Sequence, residues 1–121
     1  MVNPIPERRR TPRLDNNIPL KIRSDDFDIV TETQNLSSSG AYCRINKYLE
    51  PMTKLKIVLL LPIRRQNRLT TKKISCQGII VRTESIPGEQ YFNVAIYFSD
   101  IPQKDLNCLN DYISANLKQS V

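Results

Sequence analysis

Four arginines stand close together near the start of the chain, Arg8, Arg9, Arg10 and Arg13, with Arg9 and Arg13 spaced R-x-x-x-R. Guanidinium groups are the side chains best matched to phosphate, and to the O6/N7 edge of guanine, because their donors form a rigid planar fork. A basic run of this kind also arises as a solubilising tail or as a non-specific contact to nucleic acid, so by itself it decides little. A second polar constellation follows at Asn35-Leu36-Ser37-Ser38-Ser39-Gly40. Its short side chains can hold guanine edges, and Gly40 permits a positive φ or a close approach of the backbone. Alone, the same letters describe an ordinary turn.

The remaining composition excludes more than it assigns. The chain has no histidine and no tryptophan, which removes imidazole acid–base chemistry, Ser-His-Asp arrangements and histidine metal sites. No phosphate-cradling glycine loop is present, and Asp25, Asp26 and Asp28 read as a solvated turn; an enzyme is not expected, nor a cofactor. Cys43, Cys76 and Cys108 are odd in number and far apart, which suits buried packing residues rather than a zinc site or a disulfide framework. A formal net charge of +6 favours an anionic partner. The longest apolar run, Ile57 to Leu61, is far below the roughly 20 residues a membrane helix requires, and no signal-like segment opens the chain, so a soluble cytoplasmic protein is expected.

The elements that must position these residues are short strands. With 121 residues the chain holds one core. Residues 1–16, rich in proline and arginine, read as a flexible basic arm, and the folded domain is expected over 17–121. Ile18, Leu20 and Ile22 alternate with polar positions, Phe27 to Thr33 is rich in β-branched residues, and Ser24-Asp25-Asp26 between them predicts a hairpin. Ala41 to Ile45 predicts a short strand, and Leu55 to Leu61 another that Pro62 ends. Lys72 to Thr83 predicts a strand whose alternation breaks at Gly78, the mark of a bulge or a barrel bend. Pro87-Gly88 predicts a turn, and Phe92, Val94, Ile96 and Phe98 alternate with Tyr91, Asn93, Ala95 and Tyr97, the first set facing a core. Ser99-Asp100 as a cap, Pro102 in a first turn, and Leu106, Leu109, Ile113 and Leu117 at helical spacing predict one short amphipathic helix. About six strands and one helix without β-α-β alternation make an all-β antiparallel barrel or sandwich.

Taken together, ERRRTPR at 7–13 and NLSSSG at 35–40 closely resemble the paired signature of the PilZ family, R-x-x-x-R followed by [D/N]-x-S-x-x-G. VLLLP at 58–62, GIIVR at 78–82 and YFNVAIYF at 91–98 are similar to the family's later strands, so the likeness spans nearly the whole chain. Ala95 departs from the glycine often found there, and Asn35 from the commoner aspartate. The resemblance implies a six-stranded antiparallel β-barrel of the split-barrel type with a C-terminal helix, and a receptor for cyclic di-GMP that relays the messenger to an effector protein. By that likeness Arg8, Arg9, Arg10, Arg13, Asn35, Ser37 and Gly40 bind the ligand, the arm folding over it. Arg8, directly before the first motif arginine, is the position that in the family accompanies a stacked, intercalated ligand dimer. The protein itself is expected as a monomer or a homodimer.

Two further readings compete for the same features, and one cluster lies outside them. A small basic barrel binding nucleic acid would use exposed aromatics, but only Tyr91 and Tyr97 face away from the expected core. A PilZ-like adaptor working without nucleotide would not need the intact Arg9, Arg13, Asn35, Ser37 and Gly40 set. Finally, Arg64, Arg65, Arg68, Lys72 and Lys73, expected in a loop and a strand start, read as a solvated hairpin or as a contact for an anionic ligand or acidic effector.

Overall fold

The computed structural model describes residues 13–119. Strand β1 (Pro19–Arg23) carries Leu20 and Ile22 into the core and Pro19 and Arg23 out to solvent, as its alternation requires. Ser24 then receives the Asp26 N–H on its hydroxyl at 3.1 Å and donates its own N–H to the Phe27 carbonyl at 2.9 Å, reversing the chain into β2 (Asp28–Leu36). Next come β3 (Gly40–Ile45), β4 (Lys54–Arg65), β5 (Arg68–Ser85) and β6 (Phe92–Asp100), all paired antiparallel. They close in the order β1-β2-β3-β6-β5-β4, with β4 returning to β1. Closure removes the open edges that a six-stranded sheet would otherwise expose. Of the two architectures open to the sequence, the barrel is the one formed.

The interior is filled by the inward member of each alternation, among them Ile22, Ile57, Leu59, Leu61, Ile74, Ile80, Val94 and Ile96, all nearly or fully buried. Phe98 joins them and Phe92 packs at their margin, while Tyr91 and Tyr97 lie outside. Cys43 and Cys76 are core residues and Cys108 is half-buried. Burial pushes the Cys43 and Cys76 thiols up to about 12, with the carboxylates of Asp105 and Asp100 adding to the effect at Cys76.

Three details depart from the sequence reading. Pro62 does not end its strand: β4 runs on to Arg65, with Pro62 opposite Thr71. The physical reason is that β1 accompanies β4 only over Lys56 to Leu59. Beyond that point one edge of β4 is unpaired, so a residue without an N–H costs no ladder bond there. Consequently Arg64, Arg65 and Arg68, expected in a loop, lie with Lys72 and Lys73 on the two strands of a long hairpin. Its turn is Gln66-Asn67, both at positive φ (48° and 65°), the backbone of a two-residue type I′ connection.

The helix also starts later than its apparent caps. Ser99 and Asp100 belong to β6, Asp100 pairing with Gln77, and α1 (Gln103–Gln119) opens with the Leu106 N–H donating to the Pro102 carbonyl at 2.9 Å. It packs on β4 and β5 with Leu109, Tyr112 and Ile113 buried. Below the point where β6 begins pairing at Gln77, the open edge of β5 is met by the Asp105 carboxylate, which accepts the Ser75 N–H at 3.4 Å.

Finally, the barrel takes in residues expected in the arm. Leu14 is buried among core side chains and exchanges both backbone hydrogen bonds with Leu36, each 2.8 Å.

Candidate functional site

The Leu14–Leu36 bridge is what assembles the site. Both leucines point inward, so their neighbours Arg13 and Asn35 must point outward on the same side of the sheet. There the Arg13 guanidinium donates to the Asn35 side-chain oxygen at 2.6 Å, joining residues 22 apart in sequence. Arg13 of the first motif and Asn35 of the second therefore meet through backbone pairing, and Arg13 remains exposed to solvent.

A second device aims Asn35. Thr33 opposes Cys43 while Asn35 opposes Tyr42, so Gln34 is an extra residue on β2. Such a bulge bends the strand and shifts which side chains face out. Thr33 on its inner side is completely buried and ties the incoming chain to β2. Its hydroxyl donates to the Asn16 carbonyl at 2.9 Å and accepts the Ile18 N–H at 3.0 Å, while Asn17 donates its side-chain N–H to the Thr33 carbonyl at 2.9 Å. Residues 13 to 18 are thus held at fixed points along β2.

The turn after Asn35 is organised from within. Ser37 is fully buried, and its hydroxyl oxygen accepts the N–H groups of Ser39 and Gly40, both at 3.2 Å. The Ser37 N–H donates to the Gly40 carbonyl at 2.9 Å, and the Ser39 carbonyl accepts the Phe98 N–H at 2.8 Å. Gly40 is not at positive φ. What it provides is close approach, since a Cβ there would overlap the Ile96 carbonyl oxygen and stand 3.3 Å from its carbonyl carbon. Ser37 and Gly40 accordingly shape the turn, whereas Asn35 and Arg13 present their functional groups outward. Arg8, Arg9 and Arg10 lie outside the described residues.

Register extends this face across three more strands. Asn35 opposes Tyr42, Tyr42 opposes Ala95, and Ala95 opposes Arg82, forming one row over β2, β3, β6 and β5. The Tyr42 hydroxyl donates to Glu84 at 3.2 Å, and Arg82 pairs with the other oxygen of the same carboxylate at 3.6 Å. Exposed Tyr97 stands opposite Gly40, next to this row. A cationic fork, an amide, and a phenol and second guanidinium that share the Glu84 carboxylate thus line one convex face around the small Ala95. Such a face suits a ligand carrying phosphate and hydrogen-bonding edges. Tyr42 and Glu84 carry no motif of their own, and Arg82 ends the GIIVR segment, which reads as a strand and not as part of the site. The alternation of β3 marks Tyr42 as outward, but only strand register shows which residues it joins.

Comparison with known proteins supports the same architecture. The Bacillus subtilis inhibitor of motility (MotI/DgrA) superposes on 92% of this chain with a TM-score of 0.79 at 18% identity, and the chain spans 52% of that structure, about half its length. The PilZ domain with c-di-GMP of YcgR from Escherichia coli superposes on 93% of this chain and 94% of its own, with a TM-score of 0.63 at 12% identity. At these identities the likeness is one of fold. No curated protein matches the sequence significantly. The sequence itself, over residues 7–115, matches the PilZ domain family. Both halves of the paired signature, the barrel that brings Arg13 to Asn35, and this match together establish that the chain belongs to the PilZ domain family.

Proposed function

We propose that this chain is a receptor for cyclic di-GMP that converts nucleotide binding into a changed surface for an effector protein. The observation that carries the reading is the 2.6 Å contact of Arg13, from the first motif, with Asn35, from the second. In support, the structure of the YcgR PilZ domain, described with c-di-GMP, shares the fold. The ligand has two phosphates and two guanines. Arg13 and the arm residues Arg8, Arg9 and Arg10 supply paired donors to them, and Asn35 supplies an amide to a guanine edge. Ser37 and Gly40 act by holding Asn35 in place, and Tyr97 offers a ring for stacking beside them.

On binding, Arg8, Arg9 and Arg10 close over the nucleotide, and the complex differs in surface from the free protein. Binding rather than turnover fits a chain without histidine. Among the described residues no helix is long and apolar enough to cross a membrane. Nucleic acid is disfavoured as the ligand. Tyr91 and Tyr97 are six residues apart along the chain, roughly 20 Å at strand rise, too far for one stacking platform.

Calorimetric titration of cyclic di-GMP into wild type, Arg9→Ala/Arg13→Ala and Asn35→Ala tests the proposal, with GTP and a short single-stranded oligonucleotide as controls. Saturable binding of the cyclic dinucleotide alone, weakened at least tenfold in both variants, is expected. A stoichiometry of two nucleotides per chain would assign Arg8 its role in an intercalated ligand dimer. Absence of binding to the wild type would overturn the receptor reading.

A further inference from the structure

Beyond Leu59 on β4 and before Gln77 on β5, the two strands leave their barrel neighbours and continue only with each other to the Gln66-Asn67 turn. Six paired rungs, from Leu60–Lys73 to Arg65–Arg68, make this extension roughly 20 Å long. Between it and α1 lies a groove of about 1330 Å³. Its hairpin side carries Pro62, Ile63 and Leu69, the last 65% exposed, and its helix side Cys108, Tyr112 and Ala115. Arg64, Arg65, Lys72 and Lys104 surround this apolar strip, with Asp111 as the acid at its rim.

The charge here is unmatched. From Pro51 to Thr83 the chain contains no aspartate or glutamate. None of the four lining cations forms an ion pair with a described residue. Leu69 extends the apolar strip formed by Pro62, Ile63, Cys108 and Ala115. An apolar strip bordered by four cations and a single acid is the footprint of a complementary segment with apolar anchors and acidic flanks.

We propose that this groove docks an acidic, apolar-anchored segment of a partner protein and is the output surface of the nucleotide site. The identity of the output rests on the receptor reading above; the groove's preference for an acidic segment does not. Other anionic partners fit less well. No exposed aromatic lines the groove to stack a base, and the hairpin tip, Arg65-Gln66-Asn67-Arg68, has no apolar side chain to enter a bilayer. The link to the nucleotide site is physical. Asn16, three residues after Arg13, lines the groove with its side-chain amide 3.5 Å from the Tyr112 hydroxyl and 3.4 Å from the Asn116 side-chain oxygen. The segment that carries Arg13 is therefore also a wall of the groove.

The test uses the full chain and a fluorescein-labelled amphipathic helical peptide of glutamate, leucine and alanine. Controls are its lysine-for-glutamate and serine-for-leucine counterparts, phosphatidylserine/phosphatidylcholine vesicles and a single-stranded oligonucleotide. Arg65→Glu/Lys72→Glu and Leu69→Ser are expected to weaken the acidic peptide at least tenfold with thermal stability unchanged. Lys54→Glu/Lys56→Glu, the same charge change at the other end of β4, is expected to leave it within twofold. Equal binding of the lysine peptide, equal loss in the Lys54/Lys56 variant, or binding of vesicles or oligonucleotide in place of the peptide would overturn the groove assignment. Peptide affinity unmoved by saturating cyclic di-GMP would overturn its role as output. Peptide binding as expected in a wild type that fails to bind cyclic di-GMP would sink the receptor reading while the groove stands.

Discussion

Replacing Gly40 with alanine is the sharpest test of how the signature turn is built. The added methyl would overlap the Ile96 carbonyl oxygen, a backbone atom held in the β3–β6 ladder by the Gly40–Tyr97 and Ala41–Ile96 pairs, so no side chain can rotate away to make room. Forcing the strands apart is an overpacking change, costing about 1–3 kcal/mol. The same displacement stretches the Gly40 N–H bond to the buried Ser37 hydroxyl, costing about 1 kcal/mol more. With an unfolding entropy of roughly 2 cal/mol/K per residue, a chain of 121 residues loses about 4 °C of Tm per kcal/mol. Gly40→Ala should therefore melt about 8–16 °C below wild type. Ser37→Ala, which strips the acceptor from two N–H groups without a clash, should fall about 4–10 °C. Asn35→Ala, on the outer face, should stay within about 2 °C while still losing ligand. Circular-dichroism melts give the ranking, and faster exchange of the Phe98 amide, bonded to Ser39, locates the damage. A Gly40→Ala protein melting within about 3 °C of wild type would refute the close approach of β3 to β6.

Other expectations follow from single contacts. Thr33→Val keeps the volume of a fully buried side chain but leaves the Ile18 N–H without an acceptor, costing about 1–3 kcal/mol, and hydrogen exchange at Ile18 should accelerate with it. Gln66→Asn/Asn67→Gly supplies residues that accept positive φ and should raise Tm by about 4 °C, with no change if the turn is not type I′. Cys108 should react with a maleimide in the native protein, and Cys43 and Cys76 only after denaturation; native labelling of Cys43 would contradict its burial. The Cys43 thiol keeps its proton in the folded state up to about 12, whereas unfolded it ionises near 9.0. The folded state thus binds more protons above pH 9. Cys43 should lower stability there by about 1.4 kcal/mol per pH unit and Cys76, raised alike, by as much again, so Cys43→Ala should roughly halve the combined slope.

Local pattern determined a great deal of this protein. The alternation of Leu20 with Ile22 and of Phe92 through Phe98 marked strands and their inward faces, because a period of two survives whatever the neighbouring strand is. The break in pattern at Gly78 marked a real register shift. The paired family signature singled out Arg13 and Asn35, since either cluster by itself reads as a basic run or an ordinary turn. Tertiary structure decided the rest. Whether Pro62 stops a strand depends on whether a neighbour needs its N–H, and that neighbour, β1, lies far back in sequence. Leu14, one apolar residue in a polar run, shows no period, and its burial follows only from the Leu36 bridge. Tyr42, Arg82 and Glu84 reach Asn35 through the register of a closed ring and through bulges on β2 and β5, both properties of strand pairing over long separations. The groove beside α1 has the same origin: a hairpin that outgrows its barrel exists only relative to the strands that stop short of it.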